Sequence, residues 1–117
     1  MSSSLPEADR ARLVHMLDAA RETVAFLSDR QRVDLDADRM LSLAVVRSIE
    51  IVGEAAANVG SETRSSLPGI PWAAVVGMRN RLVHAYFSVD ADRVWDTVRD
   101  DLPPLISELE RVLTGER

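Results

Sequence analysis

The sequence contains no cysteine and no lysine, and each absence narrows what the protein can be. Without cysteine, the 117 residues can hold no disulfide and no thiolate metal site. The two histidines, His15 and His84, lie far apart, and neither stands in a metal-ligand spacing such as HExxH. We therefore expect no metal and no cofactor. All fourteen basic residues are arginine, whose planar guanidinium suits phosphate better than an ammonium does.

The sequence also lacks an apolar run long enough to cross a bilayer, and its N-terminus lacks the pattern of a signal peptide. We therefore expect a soluble cytoplasmic protein without membrane contact. Length and an apolar fraction of 46% suit one domain, residues 1–117, with one core. The net charge of −5 weighs against broad, unaided nucleic-acid binding, but it leaves room for a small basic site.

Helical periodicity runs through the chain and predicts an all-α fold, an antiparallel four-helix bundle with an extra short helix. Helix 1 is expected over residues 5–30, with Ser4 as N-cap and Glu7 completing a capping box. Helix 2 is expected from about Asp38 to Val59, with Gly60 as its C-cap. The segment "GSETRSSLPGIP" is predicted to be a loop.

The second half of the chain is predicted to hold the remaining helices. Pro71 suits the first turn of helix 3, which should carry on through Tyr86. Asp90 is the expected N-cap of helix 4. Pro103 and Pro104 are expected to break that helix, so that "LISELERVL" forms a last short one.

The stretch "GMRNRLVHAYF", residues 77–87, crowds polar side chains onto an otherwise apolar helix. On a helical wheel centred on Trp72, Arg79 falls inside the core face, and Asn80 and His84 share its edge because they are four residues apart. Tyr86 lies on the same stripe as Arg79. Each of these residues alone has a structural explanation, such as an ion pair for Arg79. The four together favour a functional site.

Helix 2 offers partners for these side chains. Arg47, Glu50, Glu54 and Asn58 recur at three- and four-residue steps and form one polar stripe. This stripe could be an ion-pair ladder between helices 2 and 3. Alternatively, Glu54 could orient Arg79 or His84.

Histidine and arginine without metal ligands suit metal-independent cleavage of RNA. A histidine near neutral pKa can move protons, and a fixed guanidinium can hold a phosphate or stabilise developing negative charge. The 2′-hydroxyl of RNA is a built-in nucleophile, so the enzyme need only manage protons and the charge on phosphorus.

The segment "RNRLVHAY", Arg79 to Tyr86, matches the R-x4-H-x-Y signature of HepT-like proteins in the HEPN superfamily. The flanking segments "IEIVGEAA", "PWAAVVGMRN" and "YFSVDADRVWDTVRDDLPPLISEL" also resemble that family. The resemblance covers nearly the whole chain in the expected order. It implies an all-helical bundle that dimerises, with the two signature helices meeting at a shared cleft.

The resemblance also implies a function. HepT-like proteins are typically toxins and metal-independent ribonucleases, encoded beside a nucleotidyltransferase of the MNT type that acts as antitoxin. By position, Arg79 and His84 would be catalytic, and Asn80 would support them. Tyr86 would line the cleft and be the site of AMPylation by the antitoxin. Because Arg79 and His84 are about 140° apart on an ideal helix, two copies in a homodimer would supply both to one RNA phosphate.

Two other classes of function stay open on the sequence. The chain could be a non-catalytic module that binds a nucleotidyltransferase partner or a nucleotide through the same cleft. It could also be a purely structural helical dimer whose polar residues form an ion-pair network. In that third case, replacing Arg79 or Glu54 by alanine should destabilise the fold by several kcal/mol, as loss of one partner of a buried pair does.

Overall fold

In the computed structural model the chain is mostly helical, which confirms the expected fold class in its coarse form. The structure describes residues 5–81, 83, 84 and 88–115. At five of these positions it describes the backbone alone: Arg79, Arg81, Val83, His84 and Ser88. The elements are α1 (Glu7–Phe26), α2 (Asp34–Ala37), α3 (Arg39–Ala57), α4 (Ser61–Ser66), α5 (Trp72–Gly77), a 3₁₀ turn (Met78–Arg81), β1 (Val83–His84), β2 (Ser88–Val89), α6 (Ala91–Asp96), a π-helical turn (Thr97–Asp101) and α7 (Leu102–Gly115).

Helix α3 is the centre of the molecule, as its apolar sequence predicts. It packs on α1 over most of its length and also contacts α2, α5, the 3₁₀ turn and α6. Its start is fixed by Asp38, whose side chain accepts a hydrogen bond from the Leu41 N–H at 3.1 Å. The predicted helix 2 is therefore confirmed as α3.

The core is built from the inward faces of the long helices. Leu13 and Met16 of α1, Val45, Ile49 and Val52 of α3, and Leu102 and Leu109 of α7 are all fully buried. Burial of one such side chain contributes about 1.5–3 kcal/mol, so this cluster is the main source of stability.

Hydrogen bonds and ion pairs give the directions of the helices. Asp9, at the start of α1, contacts Gly60, which follows the end of α3, so α1 and α3 run antiparallel. Arg32 pairs with Asp92 at 2.7 Å, and Arg21 pairs with Glu110 at 2.6 Å. The chain from Arg21 to Arg32 and the chain from Asp92 to Glu110 therefore run in opposite directions.

Helix α1 is shorter than predicted at its C-terminal end. It stops at Phe26 instead of continuing to residue 30, and Asp29 adopts a left-handed backbone with φ of 63°. Such a residue cannot continue a right-handed helix, and aspartate tolerates this conformation better than most residues do. At the other end Pro6 occupies the N-cap position. The predicted cap, Ser4, lies outside the described residues.

Gly60 does not cap α3, which is a correction to the sequence prediction. Asn58 occupies the C-cap, whereas Gly60 has an extended backbone with φ of −64° and precedes α4. Helix α4 itself lies in the segment predicted to be a loop. A Cβ at Gly60 would stand 3.2 Å from the Asp9 carboxylate, so the small residue serves the approach of α1 rather than the end of a helix.

Pro103 and Pro104 do not break the last helix, which is a second correction. Both lie in the first turn of α7, and the chain reaches them through the π-helical turn Thr97–Asp101. Proline rings clash with the carbonyl four residues earlier, and the wider π turn moves those carbonyls away. The predicted N-cap of the preceding helix is confirmed, since Asp90 accepts a hydrogen bond from the Arg93 N–H at 3.1 Å.

None of the helices in the described part of the chain combines the length and the apolar character that a membrane span requires.

Candidate functional site

The segment that carries the polar motif is held in place by α5. Pro71 occupies the N-cap position, and the Trp72 indole N–H lies 3.1 Å from the Arg64 carbonyl and 3.0 Å from that of Leu67. These two carbonyls lie at the C-terminal end of α4, and each also accepts a backbone hydrogen bond, from the Leu67 N–H and the Ile70 N–H respectively. One half-buried aromatic donor thus joins α4 to α5, and the buried Val75 side chain lies on the inner face of α5.

The helix tightens where the motif begins. Helix α5 ends at Gly77, and Met78 to Arg81 form a 3₁₀ turn against α3. Met78 is 2% exposed and anchors the turn to the core, whereas Asn80 is exposed. The backbone of Arg79 therefore lies between an anchored residue and an exposed one, at the surface end of the helix.

Val83 and His84 are not helical, which corrects the prediction that helix 3 continues through His84. Val83 and His84 form β1, and they pair with Val89 and Ser88 of β2. The strand pairing supplies the backbone hydrogen bonds that a continuing helix would have made internally. The four-residue helical relation between Asn80 and His84 therefore does not hold. Tyr86 lies outside the described residues.

The side chains of the polar stripe of α3 contact one another. The Arg47 guanidinium lies 3.4 Å from the Glu50 carboxylate and 3.3 Å from that of Glu54, and the Asn58 amide donates to the Glu54 carbonyl at 2.9 Å. The side chains of Arg47 and Glu54 are 60% and 44% exposed, so their attraction is weakened by solvent. These contacts all lie within α3, so the ion-pair ladder expected between helices 2 and 3 stays a prediction.

The role expected for Glu54 stays a prediction. Helix α3 packs against both α5 and the 3₁₀ turn, so its polar stripe and the backbone of Arg79 and Asn80 belong to neighbouring elements. The side chains of Arg79 and His84 lie outside the described atoms. Orientation of either one by Glu54 therefore rests on the sequence.

The residues described include no group of three or more histidine, cysteine, aspartate or glutamate side chains that is arranged to hold a metal ion. The candidate site consists instead of one guanidinium, one imidazole, an amide and a phenol on a short segment. Such a set can move a proton and stabilise an anion.

One buried carboxylate escaped the sequence analysis. Asp9 is 9% exposed, and its side chain accepts hydrogen bonds from the Thr63 hydroxyl at 2.5 Å and the Gly60 N–H at 3.1 Å. These two bonds hold the pKa of the Asp9 carboxyl below its usual value. The sequence gives only a weak signal for it, because the partners lie more than fifty residues away. Its role is to join α1 to the α3–α4 junction.

Comparison with known proteins identifies the chain's relatives. The family model described as "Ribonuclease HepT-like" matches residues 16–112. A Methanocaldococcus jannaschii protein whose name gives RNase as a provisional activity is 34% identical over 103 residues, which cover 88% of this chain and 94% of that protein.

Two further relatives carry similar names. A Thermococcus cleftensis protein, named provisionally as ribonuclease HepT, is 39% identical over 79 residues, covering 68% of this chain and 72% of its own. A provisionally named RNase of Caldanaerobacter subterraneus subsp. tengcongensis is 32% identical over 108 residues, which cover 92% of this chain and 96% of that protein. No solved structure matches the chain.

Proposed function

The chain belongs to the HepT-like ribonuclease family, and on this premise we propose that it is the toxin of a toxin–antitoxin pair. It acts as a metal-independent endoribonuclease on RNA in the cytoplasm. Its antitoxin is a nucleotidyltransferase of the MNT type, which silences it by transferring AMP to Tyr86. The observation that carries the proposal is the family match, which spans the whole R-x4-H-x-Y motif from Arg79 to Tyr86.

The proposed reaction uses the chemistry of RNA itself. The 2′-oxygen attacks the adjacent phosphorus while the bond from phosphorus to the 5′-oxygen breaks. His84 accepts the proton of the 2′-hydroxyl or supplies one to the departing 5′-oxygen, and Arg79 stabilises the negative charge that builds up on the phosphate. Asn80 orients the phosphate, and Glu54 orients Arg79 or His84. The cleaved strand ends in a 2′,3′-cyclic phosphate.

We place the active site at the cleft of a homodimer of HEPN-type helical bundles. The exposed face of α3 supports a second copy there. Met40 is 80% exposed and Leu43 is 50% exposed, and both precede the Arg47–Glu54 stripe on the same side of the helix. Large apolar side chains exposed together in this way are typical of a protein–protein contact.

The experiment that tests the function is induced expression of the wild type and of His84→Ala, with growth recorded and total RNA examined on a gel. We expect growth arrest and RNA fragments from the wild type alone. His15→Ala is the matched control, since it removes the chain's other histidine from an exposed position on α1. Arrest and RNA fragments that persist in His84→Ala would exclude the proposed mechanism.

A non-catalytic module that binds the nucleotidyltransferase or a nucleotide is the second candidate, favoured by the net charge of −5. A protein that captures RNA unaided needs basic contacts to phosphates, which this composition limits. Intact RNA and equal growth with all three proteins, together with formation of a complex with the nucleotidyltransferase, would support the module.

A further inference from the structure

An open groove lies on the side of α5 that faces α7, outside the polar motif. It is bounded by the loop from Pro68 to Pro71, by α5 and by α7, and its volume is about 400 Å³. Its walls are mainly apolar, formed by Val75, Met78, Pro104 and Leu105 among others. Volume and lining are those of a binding groove rather than of a packing defect.

The rim of this groove carries three carboxylates, and only one of them is paired with a basic side chain. Glu108 is paired with Arg111, so its charge is balanced within α7. Asp100 and Asp101 are exposed, and in the described part of the chain their carboxylates make neither an ion pair nor a hydrogen bond. Two negative charges therefore stand beside an apolar surface without an intramolecular partner.

A second depression adjoins the groove. It has a volume of about 320 Å³, is lined by Arg93, Asp96 and Thr97, and shares Asp100 and Asp101 with the first. At the other side, the loop closes tightly on α7, because a Cβ at Gly69 would collide with the Glu108 carboxylate. The shape has one apolar lobe and one polar lobe, with the unpaired acids between them.

We propose that this groove is a docking site for an extended polypeptide segment of a partner protein. An arginine or lysine of the segment pairs with Asp100 and Asp101. A neighbouring apolar side chain packs on Pro71, Ala74 and Pro104, which are exposed in the wall of the groove. Charge complementarity selects such a basic segment, since the chain as a whole carries a net charge of −5. Two depressions that share their acidic residues favour an extended peptide over a compact small molecule.

The groove also adjoins the candidate active site. Met78 lines it and is the first residue of the 3₁₀ turn, so the next residue is Arg79. A bound segment would contact the turn that carries the proposed catalytic arginine. The docking site itself does not depend on the proposed nuclease, and its test measures binding alone.

The test is selection of phage-displayed random short peptides on the whole protein, followed by affinity measurement with labelled synthetic peptides. We expect the enriched peptides to share an arginine or lysine next to an apolar residue. Asp100→Asn combined with Asp101→Asn should weaken their binding about tenfold and reduce its dependence on salt. Ala74→Leu, which places bulk in the apolar lobe from an exposed helical position, should weaken it by a similar factor.

Two control variants make the same chemical changes elsewhere. Asp18→Asn with Glu22→Gln removes two exposed carboxylates from α1, and Ala11→Leu enlarges an exposed alanine on α1. Both should bind like the wild type, and far-ultraviolet circular dichroism should show all variants folded.

Three results would overturn the proposal: no peptide enriched, enriched peptides without a basic residue, or equal affinity for the wild type and both groove variants. Arginine amide is the probe for a small-molecule site. If it bound as tightly as the peptides, the groove would be a site for small organic cations instead. Peptide enrichment and binding affinity do not depend on RNA cleavage. These measurements would therefore keep their meaning even if the protein proved not to be a nuclease.

Discussion

The Asp9 carboxylate and the Thr63 hydroxyl form a hydrogen bond of 2.5 Å, although 54 positions separate them in sequence. The same carboxylate accepts a bond from the Gly60 N–H, so one side chain fastens the start of α1 to the junction between α3 and α4. Loss of this side chain would leave two donors without their partner. Together with the bonds from Arg64 to the Val59 and Ala57 carbonyls, it positions α4, which Trp72 joins to α5.

Replacement of Asp9 by alanine should lower the free energy of unfolding by about 1–3 kcal/mol, because the buried Thr63 hydroxyl and the partly buried Gly60 N–H lose their acceptor. Urea denaturation would measure the change. Asp18→Ala, which removes an exposed aspartate from the same helix, is the control and should change stability by less than about 0.5 kcal/mol. Equal effects of the two variants would contradict this role for Asp9.

The contribution of Asp9 should also depend on pH. Its pKa in the folded protein is lowered by the hydrogen bonds from Thr63 and Gly60, so the unfolded chain binds the proton more readily. The stabilisation is therefore complete above the unfolded value of about 3.9 and is lost as the pH falls through the folded pKa. The difference in unfolding free energy between wild type and Asp9→Asn should shrink over this acidic range. A difference that stays constant from pH 7 to pH 2 would contradict the assignment.

Arg79 and Arg81 provide a matched pair for the proposed reaction, since both belong to the 3₁₀ turn. Arg79→Ala should reduce RNA cleavage by about 100- to 1,000-fold, the usual effect of removing one group that stabilises transition-state charge. Arg81→Ala should retain most of the activity. Cleavage rates of a purified RNA would be compared, and equal losses in both variants would indicate general electrostatic attraction of RNA instead.

Glu54→Gln distinguishes an orienting role from a structural one. Because the Arg47–Glu54 pair is largely exposed, its loss should cost less than about 1 kcal/mol of stability. If Glu54 orients Arg79 or His84, the rate of RNA cleavage should nevertheless fall about tenfold or more. Glu50→Gln, which removes the other partner of Arg47, is the control. A loss of several kcal/mol with Glu54→Gln would favour the purely structural ion-pair network.

The proposed dimer can be tested at the exposed end of α3. Met40→Ser combined with Leu43→Ser should weaken self-association at least about tenfold, as measured by sedimentation. Burial of each apolar side chain in the interface would otherwise contribute free energy to association. The stability of the monomer should be nearly unchanged. Val33→Ser, at a position 58% exposed before α2, should leave the association intact. If the cleft is shared, cleavage should fall together with dimerisation.

Several features followed from local sequence alone. The start of α3 at Asp38, the start of α6 at Asp90 and the beginning of α5 after Pro71 are all confirmed, because caps and prolines act on backbone groups within a few residues. The apolar centre of α3 likewise predicted its central position. The motif from Arg79 to Tyr86 could be located, and its family identified, from residue types and spacing.

Other features were decided by tertiary structure. Glycine favours helix ends, so the sequence predicts a C-cap at Gly60. In the structure a small residue is required there because the Asp9 carboxylate of α1 approaches Gly60 closely. Pro103 and Pro104 predict a break in the helix, whereas the π-helical turn that precedes α7 accommodates both prolines. The change from 3₁₀ turn to strand at Val83 depends on a partner at Val89. Sequence by itself determined where α3, α5 and α6 begin and which family the motif belongs to, because those signals are local. The short helix α4, the strand at Val83 and the joints between helices required contacts between distant residues.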